Sequence, residues 1–171
     1  PTGMVSTLAS GSISLDHPRG LAFDASGTLY VEDNSATIAA FSLGGVAGNR
    51  SFNSNWWWHN GLSSDAGGNL YAAFGYSIVK LTASGEMVTV AGDAARSGNS
   101  DGAGGDARFN GISGLAVDAA GNLYVADTLN HAIRKVTPAG VVSTVVGQPG
   151  VRGVQLGAAL PGGLNQPASV A

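Results

Sequence analysis

The same phrase is written three times along this chain. VDAAGNLYVAD at 117–127 returns as SDAGGNLYAAF at 64–74 and as FDASGTLYVED at 23–33. Repetition at this spacing constrains the fold more than any local pattern does. Each copy must build the same supersecondary unit and bury its apolar faces against its neighbours. Gly20, Gly61 and Gly114 precede the recurring Asp24, Asp65 and Asp118, and the pairs Leu29-Tyr30, Leu70-Tyr71 and Leu123-Tyr124 follow them. A turn glycine recurs at Gly3, Gly44, Gly85 and Gly140, with spacings of 41, 41 and 55 residues.

Each unit reads as four short strands, which in the third copy fall at about 112–117, 122–126, 132–137 and 141–146. They are rich in Val, Ile, Leu and Tyr and too short for helices. Asp118-Ala119-Ala120-Gly121 and Thr137-Pro138-Ala139-Gly140 are tight turns. In the first, the carboxylate bonds nearby backbone N–H groups while Gly accepts positive φ. Four strands repeated every 40–50 residues or so describe the blade of a β-propeller. Two long connections, Asp93–Asn110 and Gln148–Asn165, have the same 18 residues and end alike, in Phe109-Asn110 and Leu164-Asn165. Leu21, Phe23, Leu62, Leu115, Val117 and the Leu-Tyr pairs recur in register and are expected to form the core between units.

The stretch from Gly114 to Val136, GLAVDAAGNLYVADTLNHAIRKV, resembles the NHL repeat family of β-propellers in its bacterial exported form. The resemblance implies an all-β fold with three complete four-stranded blades, at about 12–55, 56–92 and 109–147. It also implies the last strand of a preceding blade at 3–10 and the first strand of a following one at 168–171. The parent ring is expected to be six-bladed, with this chain an interior piece of a longer polypeptide. The middle copy departs from the pattern, since Phe74 stands where Asp33 and Asp127 stand.

Charge narrows the function. Charged residues make up 11% of the chain, the net charge is −3, and the eight Lys and Arg form no cluster. A nucleic-acid groove needs a basic stripe, so no nucleic-acid partner is expected. There is no cysteine, which is compatible with an exported bacterial protein. No apolar run is long enough to span a bilayer, so no membrane insertion is expected. The expected location is extracellular or at the cell surface.

The recurring Asp24, Asp65 and Asp118 are read as turn formers. Asp33 and Asp127 follow the second strand, on the loop face where propellers usually hold ligands, and Asn130 and His131 belong to the same loop. They are candidate binding residues. The three histidines, His17, His59 and His131, do not fall at equivalent positions, and no Gly-x-Ser-x-Gly or cysteine nucleophile is present. No catalytic residue and no metal centre is therefore assigned. Asp93, Asp101 and Asp106 lie in a Gly-rich loop that could supply hard oxygen ligands to calcium, although the twin connection carries no acid. Trp56-Trp57-Trp58 is the one feature the repeat does not explain. Adjacent residues of an extended segment point to opposite sides, so Trp57 or Trp58 is a candidate for stacking on a sugar ring or anchoring a protein loop. Two function classes follow. The first is a non-enzymatic extracellular binding or assembly scaffold, partnered by protein or glycan and by the remaining blades or another copy of the chain. The alternative is part of a metal-dependent propeller enzyme, a lyase or lactonase-like hydrolase, with its ligands mostly outside this segment.

Overall fold

A computed structural model describes residues 15, 17–33, 37–42, 45–51, 61–153 and 163–171, with backbone alone described at 37 and 45–51. Those residues form three antiparallel sheets. The first runs β1 (Gly20–Phe23), β2 (Leu29–Glu32), β3 (Thr37–Ser42) and β4 (Gly45–Ser51). The second is β5 (Leu62–Ser64), β6 (Leu70–Phe74), β7 (Ser77–Leu81) and β8 (Met87–Gly92). The third contains β10 (Ile112–Val117), β11 (Leu123–Asp127), β12 (Ala132–Val136) and β13 (Val141–Val146). A two-residue strand, β9 (Gly102–Ala103), lies at its outer edge. Among the described residues helix is limited to two 3-10 turns, Gly104–Asp106 and Thr128–Asn130. The fold is that of a β-propeller segment.

The turns between first and second strands obey the chemistry read from the sequence. Asp24 accepts the N–H groups of Ser26 and Thr28, Asp65 those of Gly67 and Asn69, and Asp118 those of Ala120 and Asn122, all at 2.8–3.0 Å. The Tyr30 and Tyr71 hydroxyls donate to the same carboxylates at 3.0 Å. The repeated Asp therefore serves the fold.

The sheets stack through apolar seams. Between the first and second sheets, Ala22, Tyr30, Ile38 and Ala40 meet Leu62, Leu70, Ala72, Val79 and Leu81. Between the second and third, Tyr71, Ala73, Ile78 and Ala91 meet Leu115, Leu123, Val125 and Val136. Tyr30 and Tyr71, Ile38 and Ile78, Leu62 and Leu115, Leu70 and Leu123, Ala72 and Val125, and Leu81 and Val136 are the same positions one repeat apart. The first strands converge, and there glycine is required. A Cβ on Gly61 would stand 3.0 Å from the Gly114 Cα, and one on Gly114 would stand 2.8 Å from the Ser169 Cα.

Two expectations need correction. Leu62 and Leu115 are each 6% exposed, as core residues should be, yet Leu21 is 63% exposed and Phe23 65%. Among the described residues no sheet stands on that side of β1, so the same register buries a side chain in one unit and leaves it open in another. Residues 168–171, expected as a first strand, form no ladder. They run beside β10, with the Thr128 hydroxyl donating to the Pro167 carbonyl at 2.7 Å and the Ser113 hydroxyl to that of Ala168 at 3.0 Å. No second strand pairs with them among the described residues. The strand expected at 3–10 lies outside the described residues.

The long connection does more than link sheets. It leaves β8, adds β9 to the outer strand β13 with Val142 opposite Gly102, then returns to the inner strand β10. Its twin begins and ends alike: Gly98 donates to the Phe109 carbonyl and Gly153 to that of Leu164, both at 3.1 Å.

Candidate functional site

The loop face is built from the turns between second and third strands and from the long connections. Its centre is a buried ion pair that sequence reading missed. Arg134, on β12, is fully buried. Its Nη1 donates to Asp127 Oδ2 at 2.8 Å and to the Arg108 carbonyl at 3.3 Å. Its Nη2 donates to Asp101 Oδ1 at 2.6 Å and to the Ser100 carbonyl at 2.8 Å, and Nε donates to Asp101 Oδ1 at 3.1 Å. All five N–H donors of the fork are used. The guanidinium also lies 5.4 Å from the Phe109 ring centroid.

Asp127 is equally buried and also accepts from the Asn110 N–H at 2.8 Å and from Asn130 Nδ2 at 2.9 Å. Burial pushes its carboxyl above the ordinary carboxylate range, while Asn130, the Asn110 N–H and Arg134 pull it back. Asn130 also donates to the Gly98 carbonyl at 2.7 Å. The departure at Phe74 now has its reason. The residue at the Arg134 position in the second sheet is Val79, paired with Ala72 as Arg134 is with Val125. Both members of the ion pair are thus apolar there. The charged pair stands in the sheet that receives a long connection, whose carbonyls and Asp101 need donors. The sequence held only a partial signal: both positions are apolar in the second copy, whereas the first keeps Asp33 but has Ala39 at the arginine position.

The candidate residues divide as follows. Asp127 and Asn130 are spent on the framework, and Asp33 is buried at the end of β2. His131 adopts φ 57°, and its Nδ1 accepts the Gln166 N–H at 3.1 Å, which ties one connection to the next. Trp57 and Trp58 lie outside the described residues. Of the proposed calcium ligands, Asp93 caps the Ala95 N–H at 3.0 Å and pairs with Arg96 at 2.6 Å, contacts that hold its carboxyl below the ordinary range. Asp101 is bound to Arg134 and to the Thr144 backbone at 3.1 Å, and Asp106 is exposed. Their partners differ, and among the described residues no three acidic or histidine side chains gather in a metal-holding group.

Where the first strands converge, a cleft of about 300 Å³ opens, lined by Leu21, Phe23, Leu62, Ser64, Val117 and Val170 among others. Its lining side chains are apolar or hydroxyl-bearing, and none of them is charged. Among the described residues no helix is long and apolar enough to cross a membrane.

Comparison with known proteins agrees with this geometry. Residues 109–136 match the NHL repeat model. The chain is thus a β-propeller segment that carries an NHL repeat. Among solved structures it is similar to a structural genomics protein of unknown function from Bacteroides thetaiotaomicron, at a TM-score of 0.72 and 26% identity, over 89% of this chain and 41% of that one. It is also similar to an auxiliary nutrient binding protein from Bacteroides ovatus, at 0.71 and 20%, over 90% and 42%. A third similar structure is a gluconolactonase from Xanthomonas campestris, at 0.59 and 17%, over 76% and 47%. The chain spans less than half the length of each. No curated protein matches the sequence.

Proposed function

We propose that this chain is a non-enzymatic binding or assembly scaffold of NHL-type blades, working outside the cell or at its surface. The observation that supports this reading is how the loop face uses its polar groups. Asp127, Asn130, Arg134 and Asp101 bond to one another and to backbone. The face also exposes two apolar side chains, Leu129 and Val151, on loops joined by the Gly150 N–H to the Asn130 carbonyl, beside the exposed Arg152 and Gln166. Exposed apolar side chains beside polar groups suit recognition of a protein loop or a neutral glycan. Trp57 and Trp58 are assigned the same role from the sequence, as aromatic anchors. The nutrient-binding neighbour lends the reading support at the level of fold alone.

A glycan array probed with the full chain tests it, alongside a Trp57→Ala/Trp58→Ala variant and a Leu129→Ser variant. Binding to a neutral oligosaccharide that falls at least tenfold in either variant, with circular dichroism unchanged, supports the scaffold reading. Turnover of a chromogenic lactone that stops on chelation would overturn it in favour of a propeller hydrolase.

A further inference from the structure

The outer strands of the second and third sheets share a register but not a neighbour. In the third sheet, Thr137 donates its N–H to the Val141 carbonyl at 2.9 Å. Hydrogen-bonded and non-hydrogen-bonded pairs alternate along an antiparallel ladder. Val142 therefore turns its N–H and C=O outward, and there Gly102 of β9 pairs with it. In the second sheet, Thr82 donates to the Glu86 carbonyl at 2.8 Å, so Met87 and, two residues on, Thr89 turn their N–H and C=O outward. Among the described residues β8 is the last strand of its sheet, and no strand pairs with that edge. Val142 is 2% exposed, whereas Met87 at the same register is 45% exposed. Val88 and Thr89 are exposed as well. Edges of this kind are ordinarily blunted by charges, prolines or bulges. β8 carries no charged residue and no proline, and its bulge falls at Val90, past the open stretch. β13 has its bulge at Val145, and β9 pairs ahead of it. The outer strand of the first sheet, β4, carries Asn49 and Arg50.

We infer that the outer edge of β8 is an interaction surface for an extended, uncharged strand, and that this strand is β8 of a second copy of the chain. The pairing of β9 with β13 shows the chemistry of the occupant: a short, uncharged strand lying antiparallel. A two-fold axis supplies that orientation, because an isologous contact sets the same strand against itself in reverse. With the axis at Val88, Met87 of one copy stands opposite Thr89 of the other. Both turn their backbone groups outward, so each Met87–Thr89 pair exchanges its hydrogen bonds across the edge. Val88 meets its own counterpart as a non-hydrogen-bonded pair, with Cβ atoms about 4.5–5.5 Å apart. The exposed Met87 and Val88 side chains are thereby withdrawn from water. The edge lies away from the faces through which the sheets stack, so pairing leaves both seams intact. β8 runs toward the loop face, and antiparallel pairing points the two loop faces in opposite directions. A pair of chains thus bridges two ligands, a consequence that rests on the binding role proposed for that face, whereas the pairing itself does not.

Sedimentation velocity of the full chain over a concentration series tests the pairing, with Met87→Pro and Val88→Lys beside the wild type. Proline at an outward-facing edge position removes no bond of its own sheet. Met87→Pro should therefore keep the wild-type circular dichroism while weakening self-association at least tenfold. Val88→Lys sets two charges against each other on the axis and should weaken it as much. The chain has no cysteine, so Val88→Cys carries a lone thiol that should give a disulfide-linked dimer under mild oxidation. Val145→Cys, on β13, should not. The cysteine reading stands even where the proline variant fails to fold. A chain that stays monomeric at every concentration, a dimer whose affinity neither Met87→Pro nor Val88→Lys changes, or equal cross-linking of the two cysteine variants would overturn the proposal. None of these results bears on whether the loop face binds a glycan.

Discussion

Replacing Arg134 with methionine isolates the group that holds the long connection to the third sheet. Methionine keeps the length and apolar stem while removing the charge and all five donors. The wild-type guanidinium bonds Asp127 at 2.8 Å, Asp101 at 2.6 Å and the carbonyls of Ser100 and Arg108 at 2.8 and 3.3 Å, with its side chain wholly out of water. Without it, Asp127 keeps the Asn110 N–H and Asn130 but becomes a buried charge with no counterion. Breaking a buried pair in this way costs about 3–5 kcal/mol, and the lost contact with the Phe109 face adds about 0.5–1 kcal/mol. Urea unfolding followed by tryptophan fluorescence should show the loss as a shift in midpoint at unchanged slope, with the melting temperature falling on the order of 10 °C. Arg134→Val with Asp127→Phe, the pair the second sheet uses, should recover only part, because the carbonyls of Ser100 and Arg108 and the Asn110 N–H remain buried. The double-mutant cycle should return a coupling of about 1–3 kcal/mol. A single-mutant cost below about 1 kcal/mol, or a coupling near zero, would refute the claim that this pair clasps the connection.

Two further substitutions read the packing. Leu62→Ala should cost about 2–5 kcal/mol by opening a cavity in the first seam, while Leu21→Ala at the same register should cost under about 1 kcal/mol in this chain, where it is 63% exposed. Equal losses by thermal melting would show that something covers β1. Gly61→Ala should be more costly than its added methyl suggests, by about 1–3 kcal/mol. The position holds φ +91°, and its Cβ would meet the backbone of Gly114, which has no side chain to move aside. A neutral effect would mean that the first strands approach less closely than described.

The four antiparallel strands of each described unit, their order and their turn chemistry were legible in the sequence; β9 and the lack of a ladder at 168–171 were not. The former depend on local period and on residues such as Asp118 and Gly121, which act within a few positions of themselves. The equivalence of the two long connections was legible for the same reason, and the matching Gly98 and Gly153 bonds bear it out. The site was less legible. Asp127 and Asn130 look like loop-face ligands when each is read by its type and place along the chain. They are framework because Arg134, Asp101 and Ser100 reach them across separate elements, a convergence that no spacing encodes. Glu32 is buried opposite its strand partner Gly20, a burial that no local pattern signals. Leu21 and Leu62 are the same residue at the same register, and only the tertiary structure sets their burial apart. A strand's pattern decides which side chains share a face, but the neighbouring sheet decides whether that face meets water, another blade or a buried charge.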